Sequence, residues 1–372
     1  MNSAARNRTL DTAKGIGILI ICIYHLVFRP WGSPLDRFIC GAVWLFLPLY
    51  FAIAGYHYVP GRRTLWQNIR RRFKTLLLPA VISSCVLLVL GGIYFKFTQF
   101  YTKSRWLRDA VHTFLRPELG EKIISGAGGP LFHNISPVWF VWTLWWATLL
   151  FYLVADFALK NAARFLLTTA VLLGAGTALY VKLPPMPWSI NLAPIYAAMM
   201  LLGAFAHKHD VLTRLAPDIH GPHLSGVLLQ ISVGLIAQSA LFRRFGSDQI
   251  YAGQLGTAGV WDPLVCYAQL IVGGFALLQL CRLLSEAKLF APLGWIGQHS
   301  LTFLLLHCMF GAVAAGILKA PLKTGGSWFL RDFTMEACLK SVAGLLISVA
   351  LCTAVACIGD FLKRMKREKA AK

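Results

Sequence analysis

Charged residues are scarce in this chain. Asp, Glu, Lys and Arg make up 14% of its 372 residues, whereas soluble domains average about 25%. Hydrophobic residues make up 57%, and the mean hydropathy is +0.62. This composition excludes an ordinary soluble domain and predicts an all-α fold, a polytopic integral membrane helical bundle.

Acidic residues are the scarcest of the charged ones. The chain has 15 Asp and Glu against 36 Lys and Arg, so its formal net charge is +21. In a soluble chain this excess would indicate a nucleic-acid partner. In a membrane protein, Lys and Arg in cytoplasmic loops account for it. We therefore expect membrane lipid as a partner and no nucleic acid.

Several motifs of common chemistries are also missing. The nine cysteines show no C-x-x-C spacing, so neither a zinc site nor a disulfide framework is predicted, and no metal is expected. No G-x-S-x-G, P-loop or G-x-G-x-x-G stands in a usable context, which argues against serine hydrolase, NTPase and dinucleotide chemistry. No small-x-small cleavage site follows the first apolar run, so this run is predicted to be a retained span.

Ten apolar runs are long enough to cross the ~30 Å hydrocarbon core of a bilayer. They lie at about 15–29, 39–58, 76–97, 138–157, 165–181, 189–206, 224–242, 260–281, 292–318 and 335–361. The distribution of Lys and Arg predicts cytoplasmic termini, with a basic cytoplasmic tail at 362–372. Residues 98–136 then form an extracytoplasmic loop, and residues 1–372 a single domain.

Lys14 and His25 stand out on the first span. They are eleven residues apart, so they share one helix face at about 16 Å along the axis. Ionisable groups inside a bilayer usually face a bundle interior or a wet cavity. A neutral imidazole is a natural general base for an alcohol near pH 7, so His25 is the candidate catalytic residue. Lys14 is either an interfacial anchor or a partner for an anionic cofactor or for a neighbouring acid such as Asp11.

A run of basic residues, Arg70, Arg71, Arg72 and Lys74, precedes the third predicted span. On charge alone, positive-inside anchoring and attraction to anionic lipid are the favoured interpretation. The alternative is a phosphate clamp, because guanidinium groups pair bidentately with phosphate oxygens. A nucleotide-bearing acyl donor such as coenzyme A would need such a clamp on the cytoplasmic side.

Few residues on the predicted outer side carry a chemical signal. Trp139 opens the fourth span and is typical of an aromatic belt, with a sugar contact on the acceptor side as the alternative. His133 in the outer loop is the second candidate on the acceptor side. His299 and His307 are predicted to be structural, because on one helix their directions differ by about 80°. The histidine-rich loop 207–223 is predicted to be a solvated loop, with metal binding as the alternative.

Four stretches, in order along the chain, resemble the acyltransferase-3 family, the group that includes fucose 4-O-acetylase-like proteins. They are residues 10–25, 71–79, 137–140 and 293–307. The first contains the family's opening pattern, a basic residue followed by ten others and then histidine. The resemblance implies that an acyl group, usually acetyl, passes from cytoplasmic acyl-CoA to a hydroxyl of an extracytoplasmic or lipid-linked glycan. It implies His25 as the catalytic base.

The same resemblance implies that Lys14 and Arg72 serve the donor or the site. Asp11, as an acid neighbouring Lys14, and the basic residues Arg71 and Lys74 complete the candidate supporting set. The family often has two arginines three apart before the third span, whereas Thr75 follows Arg72 at that distance here. Arg71 with Lys74, or Arg72 alone, then takes that role.

The sequence therefore predicts an O-acyltransferase of the bacterial inner (cytoplasmic) membrane that uses acetyl-CoA as the donor. The alternative is a multi-pass transporter or flippase for a lipid-linked or anionic solute, with Lys14 and His25 lining the path. A catalytically silent scaffold is a third interpretation, which leaves the intramembrane ionisable residues unexplained. The sequence carries no signal for the identity of the acceptor.

Overall fold

The computed structural model describes residues 7–30, 32–86, 89, 138–183, 186–214, 224–246, 259–318 and 334–371. Within these ranges every regular element is helical. The principal helices are α1 (Arg8–Leu26), α2 (Pro34–Tyr56), α3 (Leu65–Arg72), α4 (Val138–Ala158), α5 (Ala162–Lys182), α6 (Ala193–Lys208), α7 (Leu224–Phe245), α8 (Asp262–Glu286), α9 (Ala291–Gln298), α10 (Ser300–Leu318) and α11 (Met335–Ala371).

Eight helices of the described ranges are long and apolar enough to cross a membrane, and one bent helix pair brings the number to nine. They match nine of the ten predicted spans, and the remaining one, at 76–97, lies largely outside the described residues. The prediction of an all-α polytopic bundle is confirmed. Helix α11 also continues through the predicted basic tail.

The outer surfaces of the helices are apolar. Large apolar side chains on four different helices are 64–69% exposed, namely Leu153, Leu166, Ile236 and Leu346. In water such broad apolar exposure would be unfavourable, whereas lipid tails match it. The exposed face of the bundle is therefore its lipid-facing face.

Helix α1 lies in the interior of the bundle. Its N-terminus is capped by Asn7, whose side-chain oxygen accepts the Leu10 N–H at 3.2 Å. Buried residues occur on every side of the helix, which packs against α2, α8, α9, α10 and α11. A helix that is apolar all round is expected to be enclosed by other helices. Its two ionisable candidates, Lys14 and His25, are therefore held inside the bundle rather than on its surface.

Two glycines allow α1 and α9 to touch backbone to backbone. A Cβ added at Gly15 would collide with the carbonyl oxygen of Leu293, and one at Gly297 would collide with that of Asp11. Small residues at such crossings let membrane helices approach closely and gain dispersion contacts. This contact fixes the end of α1 that carries Lys14.

The predicted single span at 292–318 is wrong as a continuous helix. The helical segments on either side of His299, Lys288–Gln298 and Ser300–Gly311, meet at 81°. His299 Nδ1 donates to the Trp295 carbonyl at 3.0 Å, and its Nε2 lies 3.0 Å from an oxygen of Asp360 on α11. The imidazole thus ties the break to another helix, a long-range contact that hydropathy does not report.

Candidate active site

A cavity of about 320 Å³ lies where α2, α3 and α4 meet, and four arginines line it. Arg62 and Arg63 come from the turn after α2, and Arg71 and Arg72 from the end of α3. Their side chains converge because the chain reverses between these two segments. The cavity therefore has a strongly positive wall built from two separate stretches.

The end of α3 is shaped by an irregular turn. A capping box between Thr64 and Gln67 starts the helix, and residues Phe73–Leu77 form a π-helical turn in which the Leu78 N–H bonds to the Phe73 carbonyl. Pro79 follows directly; it has no N–H, and its ring disfavours a regular α-helical bond at this point. Single π turns inside helices are frequent at functional sites.

Arg72 is held in place by its neighbours. Its Nε donates to the Tyr152 hydroxyl on α4 at 3.2 Å, and one terminal nitrogen donates to the Ala54 carbonyl at 3.4 Å. Neither partner is charged, so the guanidinium keeps its net positive charge. Arg72 is half-buried and oriented, as a binding residue should be.

The positive charges of the cavity are not neutralised within the described part of the chain, where none of the four arginines has an acidic partner within salt-bridge distance. Burial, and then the charges of Arg63 and Arg72, lower the pKa of Arg71. These like charges repel one another in the absence of a ligand. A multiply charged anion would relieve that repulsion, and the forked donors suit phosphate oxygens.

His57 connects this cavity to Lys14. Desolvation, followed by the charges of Lys14 and Arg72, lowers the pKa of His57 from 6.5 to about 4, with Asp11 acting in the opposite direction and His207 adding to the lowering. The imidazole is therefore neutral at pH 7. Contacts with α2 place Lys14 and Arg72 at the same end of the bundle, because Tyr50 donates to the Lys14 carbonyl and Ala54, one turn further along α2, accepts from Arg72.

Lys14 forms the predicted ion pair with Asp11. The Lys14 Nζ lies 2.7 Å from a carboxylate oxygen of Asp11, and their side chains are 18% and 6% exposed. The Tyr50 hydroxyl donates to the backbone carbonyl of Lys14 at 2.6 Å. This end of α1 is thus held by a local ion pair, by a tyrosine of α2 and by the glycine contact with α9.

His25 lies near the opposite end of α1, where its ring contacts two other aromatic rings. The Tyr24 ring contacts the His25 ring edge-on, with 5.1 Å between the two centroids. The centroid of the His307 ring lies 5.4 Å from that of His25. His307 is fully buried; its Nδ1 donates to the Phe303 carbonyl at 2.8 Å. The Cys308 sulfur lies 3.2 Å from its Nε2. Because Nδ1 carries the proton, Nε2 accepts from this thiol, as in a neutral imidazole. These contacts hold the His307 ring in one orientation beside His25.

The other predicted site residues lie apart from these two groups. Lys74 is exposed and is not among the residues lining the cavity. The Trp139 ring packs edge-on against Phe140 at 5.9 Å and is half-buried. His133 lies outside the described residues, as does most of the 207–223 histidine loop.

Several residues of the site were not foreseen. Arg62 and Arg63 are visible in the sequence as a second basic pair, but nothing local shows that they face Arg71. Nothing in the sequence around Tyr152 or His57 indicates that they line a cavity. His307 is predicted from its spacing to be structural, and the spacing gives no sign of its contact with His25.

In the described ranges, no group of three or more His, Cys, Asp or Glu side chains could hold a metal ion.

The helices, the lipid-facing surface and the intramembrane ionisable residues define a multi-pass membrane protein. The family model described as an acyltransferase domain, acyltransferase 3, matches residues 7–358. The chain belongs to this family, so it is a membrane acyltransferase, which disfavours the transporter and scaffold alternatives. Comparison with curated proteins and with solved structures finds no match.

Proposed function

We propose that this protein is an O-acyltransferase of a bacterial inner membrane that moves an acyl group, acetyl in the simplest case, from cytoplasmic acyl-CoA to a hydroxyl of an extracytoplasmic or lipid-linked glycan. The observation that carries the proposal is the division of α1 into two chemically different ends. The Lys14 end packs against α2 one turn from Ala54, which lines a cavity with four arginines, and the other end presents a histidine in contact with two rings.

The cavity suits the nucleotide part of the donor. Phosphate groups would pair with Arg62, Arg63, Arg71 and Arg72, and neutral His57 would lie beside them. Lys14 lies at the same end of the bundle, in its ion pair with Asp11. The acyl-bearing arm of coenzyme A would run along α1, where about 16 Å of helix rise separate Lys14 from His25.

His25 would supply the base. Its imidazole would take the proton of the acceptor hydroxyl as the oxygen attacks the thioester carbonyl, forming the new C–O bond. Collapse of the tetrahedral intermediate would break the C–S bond, and the proton held by His25 would pass to the leaving thiolate. General-base catalysis of this kind contributes about 10²- to 10⁴-fold. The scheme is a direct transfer without an acyl-enzyme.

The test uses membranes that contain the full-length protein and acetyl-CoA labelled in the acetyl group. Alkali-labile label in the glycan fraction measures ester formation. The His25→Ala variant should lose about 10²- to 10⁴-fold in rate, while its affinity for acetyl-CoA stays within twofold of the wild type.

His209→Ala is the matched control, because His209 is exposed beyond the end of α6 and should leave the rate unchanged. Equal transfer by the wild type and His25→Ala would remove His25 as the base. Failure of the purified wild type to bind acetyl-CoA would refute the proposed donor.

A further inference from the structure

A buried ion pair lies just beyond the His25 end of α1 and has no part in the scheme above. Arg29 Nε donates to an oxygen of Asp36 at 2.6 Å, and the two side chains are 2% and 4% exposed. Asp36 lies in the first turn of α2. The pair therefore joins the segment after α1 to the start of the next helix.

The arrangement is costly for a purely structural contact. Desolvation of two charges can exceed their attraction, so that apolar replacements often stabilise a fold equally well. In addition, the Arg29 Nη2 is buried and has no hydrogen-bond partner among the described residues, and an unpaired buried donor costs further free energy. These costs make a role of Arg29 beyond stability worth testing.

Arg29 is oriented towards the end of α1. Its Nη1 donates to the carbonyls of Tyr24 and Val27 at 3.2 and 3.3 Å, which satisfies acceptors that a helix C-terminus leaves free. The guanidinium carbon also lies 5.2 Å from the centre of the Tyr24 ring, within cation–π distance. A lysine could supply the charge but not this planar set of donors.

The contacts continue from Tyr24 to His25. The Tyr24 ring is buried and meets the His25 ring edge-on at 5.1 Å. The second ring in contact with His25, that of His307, is fixed through its backbone carbonyl, which accepts the Ser348 hydroxyl of α11 at 2.8 Å. His25 thus contacts two anchored rings, and the anchor of one ring is the Arg29–Asp36 pair.

We propose that Arg29, locked by Asp36, is a positioning residue that holds Tyr24 against His25 and so directs the imidazole for proton transfer. The inference rests on the proposed acyltransferase function and on His25 as its base. Proton transfer is sensitive to placement, and a displacement of about 1 Å can cost 10²-fold in rate. Arg29 touches neither substrate in this proposal and acts through Tyr24.

Two changes test the pair without leaving a lone buried charge. Arg29→Lys retains the cation but loses the fork, and the double variant Arg29→Gln, Asp36→Asn removes both charges at similar volume. Tyr24→Leu removes the intervening ring and leaves the pair intact. Lys340→Gln is the control, because it breaks a solvent-exposed ion pair with Glu336 one residue from Ser341, whose hydroxyl accepts the Phe28 N–H.

Two readouts are measured in membranes. The first is acetyl transfer from labelled acetyl-CoA, which should fall about 10- to 100-fold in all three test variants, with acetyl-CoA affinity within twofold of the wild type. The second is the rate at which diethyl pyrocarbonate, which acylates neutral imidazole nitrogens, modifies His25, followed by peptide mass spectrometry. This rate should change by at least threefold in the test variants and stay constant in Lys340→Gln.

The two readouts distinguish the inference from the function on which it rests. Unchanged modification of His25 in Arg29→Lys and in the double variant would overturn the positioning role, whether or not acetyl transfer is detected. Unchanged transfer in these two variants would overturn it as well. Loss of transfer in Tyr24→Leu alone would assign the effect to Tyr24 without Arg29. Absence of transfer by the wild type, with His25 modification altered as expected, would refute the acyltransferase scheme and leave the positioning intact.

Discussion

The cations at the two ends of α1 differ in whether an acidic side chain compensates them. Beside Lys14, four arginines line an open cavity, and in the described part of the chain none has an acidic partner. At the other end, the Arg29 side chain lies over the ring of Tyr24, the neighbour of His25, and is buried and paired with Asp36. Uncompensated, accessible cations suit a charged molecule that must arrive and leave, since binding then supplies the missing anion. A buried, paired cation suits a fixed geometry, because its own neighbours satisfy most of its donors.

This difference teaches that a count of positive residues does not identify a binding site. The chain has 36 Lys and Arg, and most are explained by topology. The cations that matter are those whose surroundings hold them in place while leaving their charge unmatched. Arg72 meets this description, because its two hydrogen-bond partners are neutral.

Removing Arg71 and Arg72 together should give the largest effect on the Lys14 end. Charge-assisted hydrogen bonds contribute about 1.5–3 kcal/mol each, so the double alanine variant should bind acetyl-CoA about 10²- to 10⁴-fold more weakly in isothermal titration. His25→Ala should leave this affinity unchanged, which separates the two ends. Comparable losses of affinity in both variants would show that the ends do not act independently.

The glycine contact that fixes the Lys14 end gives the next prediction. Gly15→Ala places a methyl group against the Leu293 carbonyl and should destabilise the protein by about 1–3 kcal/mol through overpacking. Gly174→Ala is the matched control: a Cβ there meets nothing within 4 Å, and replacing a helix-interior glycine should stabilise by about 0.5–1 kcal/mol. Thermal unfolding in detergent checks both, and equal effects of the two changes would contradict the close crossing.

His57 should make the Lys14 end sensitive to acid. With a pKa of about 4 in the folded protein against 6.5 as its ordinary value, His57 is protonated more readily in the unfolded chain. Its contribution to stability is therefore lost as the pH falls from about 6.5 towards 4. Lys14, Arg72 and His207 oppose protonation, and Asp11 favours it.

The measurement is the melting temperature of the wild type and of His57→Gln at pH 7 and pH 5. The wild type should lose more stability on acidification than the variant, because the glutamine does not titrate. Titration of all other groups is common to both proteins and cancels in the comparison. An identical decrease in the two proteins would refute the lowered pKa.

Lys74 should give the smallest effect. It is adjacent in sequence to the arginines but does not line the cavity, so Lys74→Ala should change acetyl-CoA affinity by less than twofold, as measured by the same titration. Arg72→Ala, measured in parallel, should weaken binding by at least tenfold, from the loss of about 1.5–3 kcal/mol. A large effect of Lys74→Ala would mean that the donor extends beyond the cavity wall.

The sequence by itself determined the class of the protein and the local parts of its site. Hydropathy identifies spans because a bilayer requires about 20 apolar residues per helix. The spacing of Lys14 and His25 places both on one helix, because helix geometry depends only on residue number. The resemblance to the acyltransferase-3 family rests on four short motifs, and the match over residues 7–358 agrees with it.

Only the tertiary structure decided which residues meet. The cavity combines Arg62 with Arg71 and Tyr152, which lie on different segments, and no local pattern records that convergence. At the break in the predicted continuous helix, His299 contacts Asp360 of α11, and beyond the break His307 contacts His25. The pairing of Arg29 with Asp36 is likewise a property of the turn between α1 and α2. Periodicity reports the direction of a side chain on its own helix, whereas the neighbour it meets is set by packing between helices.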